Sequence, residues 1–542
     1  MTIWNQRTFR FANLAGVVAA LALGAAAGAW PARSAAVRGA SWGWTLVLGG
    51  SVGLLTWKFG HRQFGGFDHS VLIDLGWRMA CGQHPYADFP TTVPVGFLLG
   101  IRHAFQLFGV RWSAIILWQA AFAMITCVWS FALLLRIGLS PGVGALIAFA
   151  IQASTSLTAS YWWYNPATAV AGVVFVLSAL CWRRAPHDRL ALASYTLSLA
   201  MLGGMKPNVA GLLIVGVTAT MLGSPPHRNR VAIASLAAGV TLTAWLAVEG
   251  IWLPDVLASY VSIADRAVST SQFLADATPN ERSASVALLC LLLVPLVWVF
   301  AGPSRRLPGS LVGVTAVIAG VSGFIQNGEC KVVDMALLLV AHLAFVAPGR
   351  PIGPHQALST GGGTTRTQFA ARHIRYVIAM AAVLSVAGVT VGATRSRVRS
   401  IAPRAFFEYD LSIQSPKTGF FSNLAVGPQF ITVEAQVAAL LDEKPGASVF
   451  FGPRMQWAYA AFHRPSPLGE PVWWHRGVAY ADDARVEAAA VDSWARAHAD
   501  LLVFLRRDFT YLPDGMLLIM RRDYDQRQGF PALSVYERRK SQ

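Results

Sequence analysis

Charged side chains are scarce in this chain: Asp, Glu, Lys and Arg make up 13% of its 542 residues, against about 25% in soluble domains. Acids are the scarcer sign, with 27 Asp and Glu against 44 Lys and Arg. Apolar residues reach 54% of the chain. A single soluble core stops growing near about 250–300 residues. The composition therefore excludes an ordinary soluble globular protein.

Cysteine is also rare, and its spacing excludes a class of metal sites. The five cysteines include no CxxC pair, so neither a zinc nor an iron–sulfur site is predicted. The chain also lacks a P-loop, a GxSxG motif and an HExxH motif. Three cysteines lie in or beside apolar runs, and we expect them to be small core residues. They are Cys127, Cys181 and Cys290.

Long apolar runs occupy most of residues 1–393, and we predict that this part is a transmembrane domain. A helix needs about 17–25 apolar residues to cross a bilayer. The predicted fold class is therefore an α-helical polytopic membrane protein with about 11–12 transmembrane helices. The runs are residues 11–30, 42–58, 113–135, 141–158, 166–182, 189–204, 207–222, 231–250, 284–301, 309–325, 333–348 and 376–393.

The polar segments between the runs predict the orientation. One alternating set holds fourteen Arg and a single acid, Asp188, and is predicted to be cytoplasmic by the positive-inside rule. The other set, which includes the loop 59–112, is predicted to lie outside. The basic composition then reflects membrane orientation, and no nucleic-acid partner is predicted. Arg7 and Arg10 favour the inside against this parity, so the orientation of residues 1–41 stays open.

Residues 394–542 have a different composition, with dense and nearly balanced charges, and the parity places them outside the membrane. Helix-like segments alternate with short apolar runs there, which predicts a small parallel α/β domain. A plain strand-to-helix turn is favoured over a phosphate loop at residues 452–454, because no Gly-rich motif is present. The segment pairs are 431–442 with 447–451, 484–498 with 501–505, and 514–525 with 533–536.

The first outer loop carries the most informative pattern. Asp68 precedes an amphipathic stretch that runs to Met79, and a second such stretch spans 93–108. Between them lies the segment Gly82-Gln83-His84-Pro85-Tyr86-Ala87-Asp88-Phe89. Helices too polar to span, placed directly before a spanning run, are typical of a juxtamembrane active-site floor. The alternative is that Asp68 only caps the helix that follows it.

This pattern resembles the first loop of the GT-C membrane glycosyltransferases. The nearest group is the superfamily of protein O-mannosyltransferases and lipid A aminoarabinose transferases. Those proteins have an Asp after an early span, followed by a segment of the form G-x-x-P-Y-x-D/E. Two further segments resemble polar loops of the same group, and the outer C-terminal domain agrees as well. They are Lys206-Pro207-Asn208 and Gln326-Asn327-Gly328-Glu329.

The resemblance implies transfer of a sugar from a polyprenyl-phosphate donor to an acceptor glycan, lipid or protein, with inversion, at the outer membrane face. Asp68 would be the general base, because an inverting transfer needs a carboxylate on the acceptor hydroxyl. Asp88 would hold the acceptor or support the base. His69 competes with Asp68 as the base. The candidate donor or phosphate ligands are His69, Tyr86, Lys206, Arg266, Arg282, Glu329 and Lys331.

Departures from the family pattern leave the donor sugar open. His69 stands where many relatives have Glu, and residues 89–94 replace a basic residue and a Pro pair. Two other classes stay open: a polytopic transporter or ligase of envelope glycans, and a non-catalytic membrane scaffold. The resemblance predicts no cofactor, although it leaves a divalent cation open.

The expected compartment is the outer side of a bacterial inner membrane. Cys81 and Cys330 both fall in predicted outer loops, and an oxidising compartment would allow them to form a disulfide. Two unrelated thiols are the alternative.

Overall fold

A computed structural model of the protein describes about three fifths of the chain. Five predicted spans lie outside this part: 11–30, 284–301, 309–325, 333–348 and 376–393. Arg266, Arg282, Cys290, Glu329, Cys330 and Lys331 also lie outside it. The described residues are 35–61, 64, 66–137, 139, 141–155, 162–222, 227–264, 419–424, 426, 428–476, 480, 483–506, 508–509 and 511–539.

Up to residue 264, every regular element among the described residues is a helix. The seven apolar runs predicted between residues 42 and 250 all form helices, which confirms that these runs are helical. The helices are α1 (Ala35–Gly60), α2 (Gly66–Ala80), α3 (Val95–Phe108), α4 (Trp112–Arg136), α5 (Pro141–Ser154), α6 (Tyr164–Arg184), α7 (Arg189–Gly203), α8 (Pro207–Leu222), α9 (Arg228–Val248) and α10 (Leu253–Ala264).

Three of these helices are long and apolar enough to cross a membrane: α4, α6 and α9. They have 25, 21 and 21 residues, and at about 1.5 Å per residue each can span a hydrocarbon layer of about 30 Å. Their surroundings differ. Helix α6 is almost wholly covered by its neighbours, whereas Leu236 on α9 is 70% exposed.

Helices α2 and α3 form a pair in the predicted first outer loop, which confirms the two amphipathic stretches as helices. They touch closely at Gly76, where a Cβ would come within 2.1 Å of Ile101. Gly109 ends α3 with a φ of 84°, a conformation that glycine adopts without strain.

The C-terminal part folds around a four-stranded sheet in the order β1-β2-β4-β3. Helices precede or follow most of the strands, so a small α/β region is confirmed. Its elements are α11 (Pro428–Glu443), β1 (Val449–Phe451), α12 (Trp457–Ala461), α13 (Ala484–Ala497), β2 (Leu501–Leu505), α14 (Asp514–Asp523), β3 (Tyr524–Arg527) and β4 (Leu533–Arg538).

The prediction that this sheet is parallel is right for β1 and β2 and wrong for the rest. Strand β4 pairs antiparallel with both β2 and β3. The sequence pattern missed β3, because Tyr524 was assigned to the end of a helix-like segment. The chain passes from α14 directly into β3 and returns through a short turn at Gly529, whose φ is 100°. A short connection of this kind joins antiparallel strands only.

The turn after β1 is a plain strand-to-helix connection, as the sequence favoured. Gly452 donates its N–H to the Val503 carbonyl and lies against Phe504, where a Cβ would come within 2.0 Å of the ring. The glycine is therefore explained by packing. Arg454, in the same turn, pairs with Asp508 at 3.3 Å.

An aromatic cluster joins the C-terminal part to the helical part. Phe64, just before α2, lies 5.2 Å from the Trp112 ring and 4.9 Å from the Phe421 ring. The backbone N–H of Trp112 also donates to the Phe420 carbonyl at 2.9 Å. These contacts fix the C-terminal part beside the first turn of α2.

Candidate functional site

The first turn of α2 contains Asp68. The helix begins at Gly66, so Asp68 lies inside the helix and not in front of it. This position keeps Asp68 at the start of a helix whose following residue, His69, is only 4% exposed.

Aromatic rings surround His69. Its imidazole lies 5.6 Å from the Trp112 ring and 5.7 Å from the Trp163 ring. Trp163 immediately precedes α6, and its ring stacks on Tyr164 at 4.8 Å. The first turn of α2 is thereby held against the start of α6.

Lys206 reaches the same start of α6 from another direction. Its Nζ donates to Oδ1 of Asn165 at 3.2 Å and lies 5.4 Å from the centre of the Tyr164 ring. Its backbone N–H donates to Oγ1 of Thr168 at 3.2 Å. Two predicted site residues, His69 and Lys206, are therefore brought to adjacent residues of one segment, Trp163 and Tyr164.

Three helices begin around Lys206. Its carbonyl accepts from the Ala210 N–H, so Lys206 caps α8, whose first residue is Pro207. The start of α6 contacts its side chain, and the start of α3 touches the preceding turn, where the Gly96 N–H donates to the Gly204 carbonyl at 2.9 Å. A Cβ at Gly96 would come within 2.7 Å of that oxygen. We call Asn165, Thr168, Lys206 and the starts of α3, α6 and α8 the helix-start cluster.

Asn165 was missed by sequence reasoning, and it carries an unused donor. The residue is only 9% exposed, and its Nδ2 finds no acceptor among the described residues. The amide orientation follows from the hydrogen bond that Oδ1 accepts from Lys206. One signal was present in the sequence, since an Asn-Pro pair at 165–166 marks a helix start.

The predicted site residue Tyr86 is committed to its own loop. Its hydroxyl donates to the Val93 carbonyl at 2.7 Å, and its ring lies 6.3 Å from that of Tyr260 on α10. Burial and Tyr260 raise the pKa of the Tyr86 phenol well above its ordinary value. The phenol therefore stays neutral and acts as a structural donor.

Asp88 lies at the other end of α2 from Asp68. Its Oδ2 accepts from the His84 N–H at 2.6 Å, and its carbonyl accepts from the Gly469 N–H at 3.0 Å. The neighbouring Phe89 ring lies under the guanidinium of Arg78. Arg78 is about 15 Å along the helix axis from Asp68, at about 1.5 Å per residue. The structure does not bring the two predicted catalytic acids together.

A network that sequence reasoning missed joins α2 to the C-terminal part. Asp74 accepts from Nε of Arg78 at 3.0 Å and from Oγ of Ser466 at 2.5 Å. The Arg78 guanidinium also donates to the carbonyls of Pro467 and Glu470. Asp74 and Arg78 are almost completely buried. Their i, i+4 spacing in an amphipathic stretch was the signal available in the sequence.

Two more residues extend this network along the same face of α2. The Ser70 hydroxyl donates to Oε1 of Gln456 at 2.9 Å and accepts from the Trp457 N–H at 3.0 Å. We call Ser70, Asp74, Arg78, Gln456, Ser466 and Glu470 the interdomain polar cluster.

The Asp74 carboxylate binds the Arg78 guanidinium, and both charges act on the nearby Glu470 carboxyl. Burial raises the pKa of Glu470 to about 8, although Arg78 acts in the opposite direction. Burial also raises the pKa of Asp74. Glu470 therefore holds a proton near neutral pH.

A third buried group links α3 to the end of α9. Glu249 lies 3.0 Å from Nη1 of Arg102 and 3.3 Å from Nε2 of His103. Buried ion pairs of this kind hold elements in register, but they contribute little net stability. We interpret the group as an anchor for α3.

A comparison with known protein families and with characterised proteins found no match for this chain. The fold itself defines a mostly helical protein that has three candidate membrane-spanning helices and a small C-terminal α/β region.

Proposed function

We propose that the protein is a polytopic membrane glycosyltransferase of the GT-C type, which moves a sugar from a polyprenyl-phosphate donor to an acceptor hydroxyl at the outer face of the membrane. One observation carries this proposal. The turn that holds Asp68 and the side chain of Lys206 both meet the start of α6, through Trp163 and Tyr164. The proposal therefore assigns the base and the phosphate ligand to one site.

The reaction would proceed by direct displacement. Asp68 takes the proton of the acceptor hydroxyl while that oxygen attacks the anomeric carbon. The bond from the anomeric carbon to the donor phosphate oxygen breaks, and polyprenyl phosphate leaves with the additional negative charge. Lys206 supplies a cation for that charge, and donors fixed in advance are worth most in a buried site.

The other predicted ligands enter the proposal differently. Arg266, Arg282, Glu329 and Lys331 stay predictions, because they lie outside the described residues. Asp88 supports the turn that begins at His84, because its carboxylate already accepts that N–H.

The positions of the charges argue against a transporter. A transporter needs ionisable side chains midway along its spans. The candidate spans α4, α6 and α9 carry charges only in their end turns: Arg136 in α4, Arg183 and Arg184 in α6, and Arg228 and Arg230 in α9. Glu249 follows the last residue of α9.

The test is transfer of label from a panel of polyprenyl-phosphate sugars to membrane components. Asp68→Asn keeps the size of the side chain and removes its basicity, so we expect activity to fall by about a hundredfold or more. Asp255→Asn is the matched control, because Asp255 also lies in the first turn of a helix, α10. It should be as active as the wild type.

Two outcomes would contradict this assignment. An Asp68→Asn variant with near-normal turnover would remove Asp68 as the base. A folded but inactive His69→Phe variant, which keeps an aromatic ring against Trp163, would point to the imidazole instead. If no polyprenyl-phosphate sugar gives up its label to wild-type membranes, the proposed function itself is wrong.

A further inference from the structure

We infer that the helix-start cluster is a binding site for the phosphate group of a lipid phosphate ester, and that Asn165 is a direct ligand of that group. The inference rests on the proposed function only for the identity of the lipid. The anion site itself follows from the geometry of the described residues.

The first reason is the unused amide donor. Leaving a buried donor without an acceptor costs about 1–3 kcal/mol, so such a group usually has a partner when the protein is at work. The Nδ2 of Asn165 is buried and unpaired among the described residues, although its Oδ1 is bound by Lys206. A ligand that accepts hydrogen bonds at this place would remove the cost.

The second reason is the sign of the surrounding charge. Each helix start carries about half a positive elementary charge from its unpaired N–H groups. Neither α3 nor α6 has a side-chain hydrogen bond that caps its start, because Pro94 and Trp163 occupy the capping positions. Lys206 adds a full positive charge, and its Nζ contacts the neutral Asn165 oxygen and the Tyr164 ring.

The third reason is how closely the backbone is assembled. The Gly96 N–H is bound to the Gly204 carbonyl, and there is no room for a side chain at Gly96. Thr168 holds the Lys206 backbone from the other side. The helix starts are thus fixed side by side, and each start of this kind favours an anion.

A phosphate ester matches this chemistry better than a carboxylate does. Its several oxygens can accept from Nδ2 of Asn165 and Nζ of Lys206 together. The site adjoins α6, which is apolar and long enough to cross a membrane. The apolar chain of a lipid phosphate could therefore lie in the hydrocarbon layer while its phosphate occupies the helix-start cluster.

The experiment measures binding of radiolabelled decaprenyl phosphate to the full-length protein in detergent micelles, with decaprenol as the neutral probe. Asn165→Asp replaces the donor with an anion beside Lys206, which should preserve folding. We expect binding to weaken at least tenfold. Asn165→Ala removes the donor without adding charge and should weaken binding several-fold. Asn423→Asp makes the same chemical change in an exposed turn and should leave binding unchanged.

Competition distinguishes two sources of the ester. If phosphatidylglycerol competes as strongly as unlabelled decaprenyl phosphate and loses binding in the same variants, the ligand is a bilayer headgroup. If phosphatidylglycerol does not compete, the ligand is a polyprenyl phosphate. Either result supports the anion site. Equal binding of decaprenyl phosphate to wild type and Asn165→Asp, or of decaprenol and its phosphate to the wild type, would overturn it. Phosphate binding without any sugar transfer would refute only the proposed function.

Discussion

The interdomain polar cluster and the helix-start cluster are both largely buried, yet they use their hydrogen bonds in opposite ways. In the first, Asp74 accepts from both Arg78 and Ser466, and Arg78 also donates to two carbonyls. In the second, Nδ2 of Asn165 has no acceptor among the described residues. The first cluster satisfies its own groups and holds two parts of the fold together, whereas the unpaired donor of the second supports the ligand that we propose for it.

The difference also concerns what each cluster connects. Partners in the interdomain polar cluster are separated by up to 392 residues, so it joins the helical part to the C-terminal part. In the helix-start cluster, the side-chain partners of Lys206 lie at most 41 residues from it in the chain. We therefore expect changes in the first cluster to affect whether the two parts stay together, and changes in the second to affect the proposed binding of a lipid phosphate.

The largest expected effect is on folding, from Arg78→Met. This change leaves the buried Asp74 without its cation, which typically costs about 3–5 kcal/mol. We expect a clear fall in the melting temperature in detergent and protease sensitivity of the C-terminal part. The double variant Asp74→Asn/Arg78→Met should recover much of the loss, because no charge is left unpaired. Equal damage in both variants would show that Arg78 matters through its size.

The next effect is on binding, from Lys206→Met. A hydrogen bond to a charged group contributes about 1.5–3 kcal/mol, so we expect the apparent affinity for the polyprenyl-phosphate donor to fall by about tenfold or more. The melting temperature should fall less than in Arg78→Met, since Lys206 is only partly buried and the Asn165 oxygen that it binds is neutral. Full transfer activity at low donor concentration would place Lys206 among ordinary membrane-interface residues.

The smallest effect is on pH dependence, from Glu470→Gln. Because the folded protein holds the Glu470 proton more tightly than an exposed carboxyl would, its contribution to stability is full below pH about 4.5 and falls until about pH 8. The melting temperature of the Gln variant should depend less on pH in this range. At pH 8 the variant should be more stable than the wild type.

Other ionisable groups act on Glu470 and set the control for that measurement. Arg78 and Asp74 face it from α2, and the Tyr459 and Tyr524 phenols also interact with it. Both phenols have raised pKa values and stay neutral below pH 10. Asp74 and Glu434, whose pKa values burial also raises, should therefore account for the pH dependence that remains. An unchanged slope in the Gln variant would assign the effect to these two carboxyls.

Much of the fold follows from the sequence because hydrophobicity sets it directly. The seven apolar runs within the described residues became helices, and the helix ends often coincide with the predicted ends, as at Pro207–Leu222. The strand β3 was missed because its four residues, Tyr524–Arg527, include three polar ones and no apolar run. Sheet direction was predicted wrongly for the same reason, since the unseen strand turned β4 around.

The candidate site could be predicted only in part, because sequence patterns do not show which separated residues meet. The motif 82–89 was found, but its Asp88 lies at the far end of α2 from Asp68 and its Tyr86 is bonded to Val93. Asn165 was not predicted as a site residue from the sequence, because a single amide before a proline is common. Its meaning depends on Lys206, which lies 41 residues later in the chain.

The 392-residue separation between Asp74 and Ser466 has a consequence for how the protein is made. At about 5–20 residues per second, a ribosome adds that length in roughly 20–80 s. Throughout this interval α2 has emerged with Asp74 and Arg78 paired to each other but without their C-terminal partners. The face of α2 must wait in contact with water or a chaperone, and it must stay out of the lipid. A chain released before Ser466 would keep that charged face uncovered, which gives quality control a clear feature by which to detect incomplete protein.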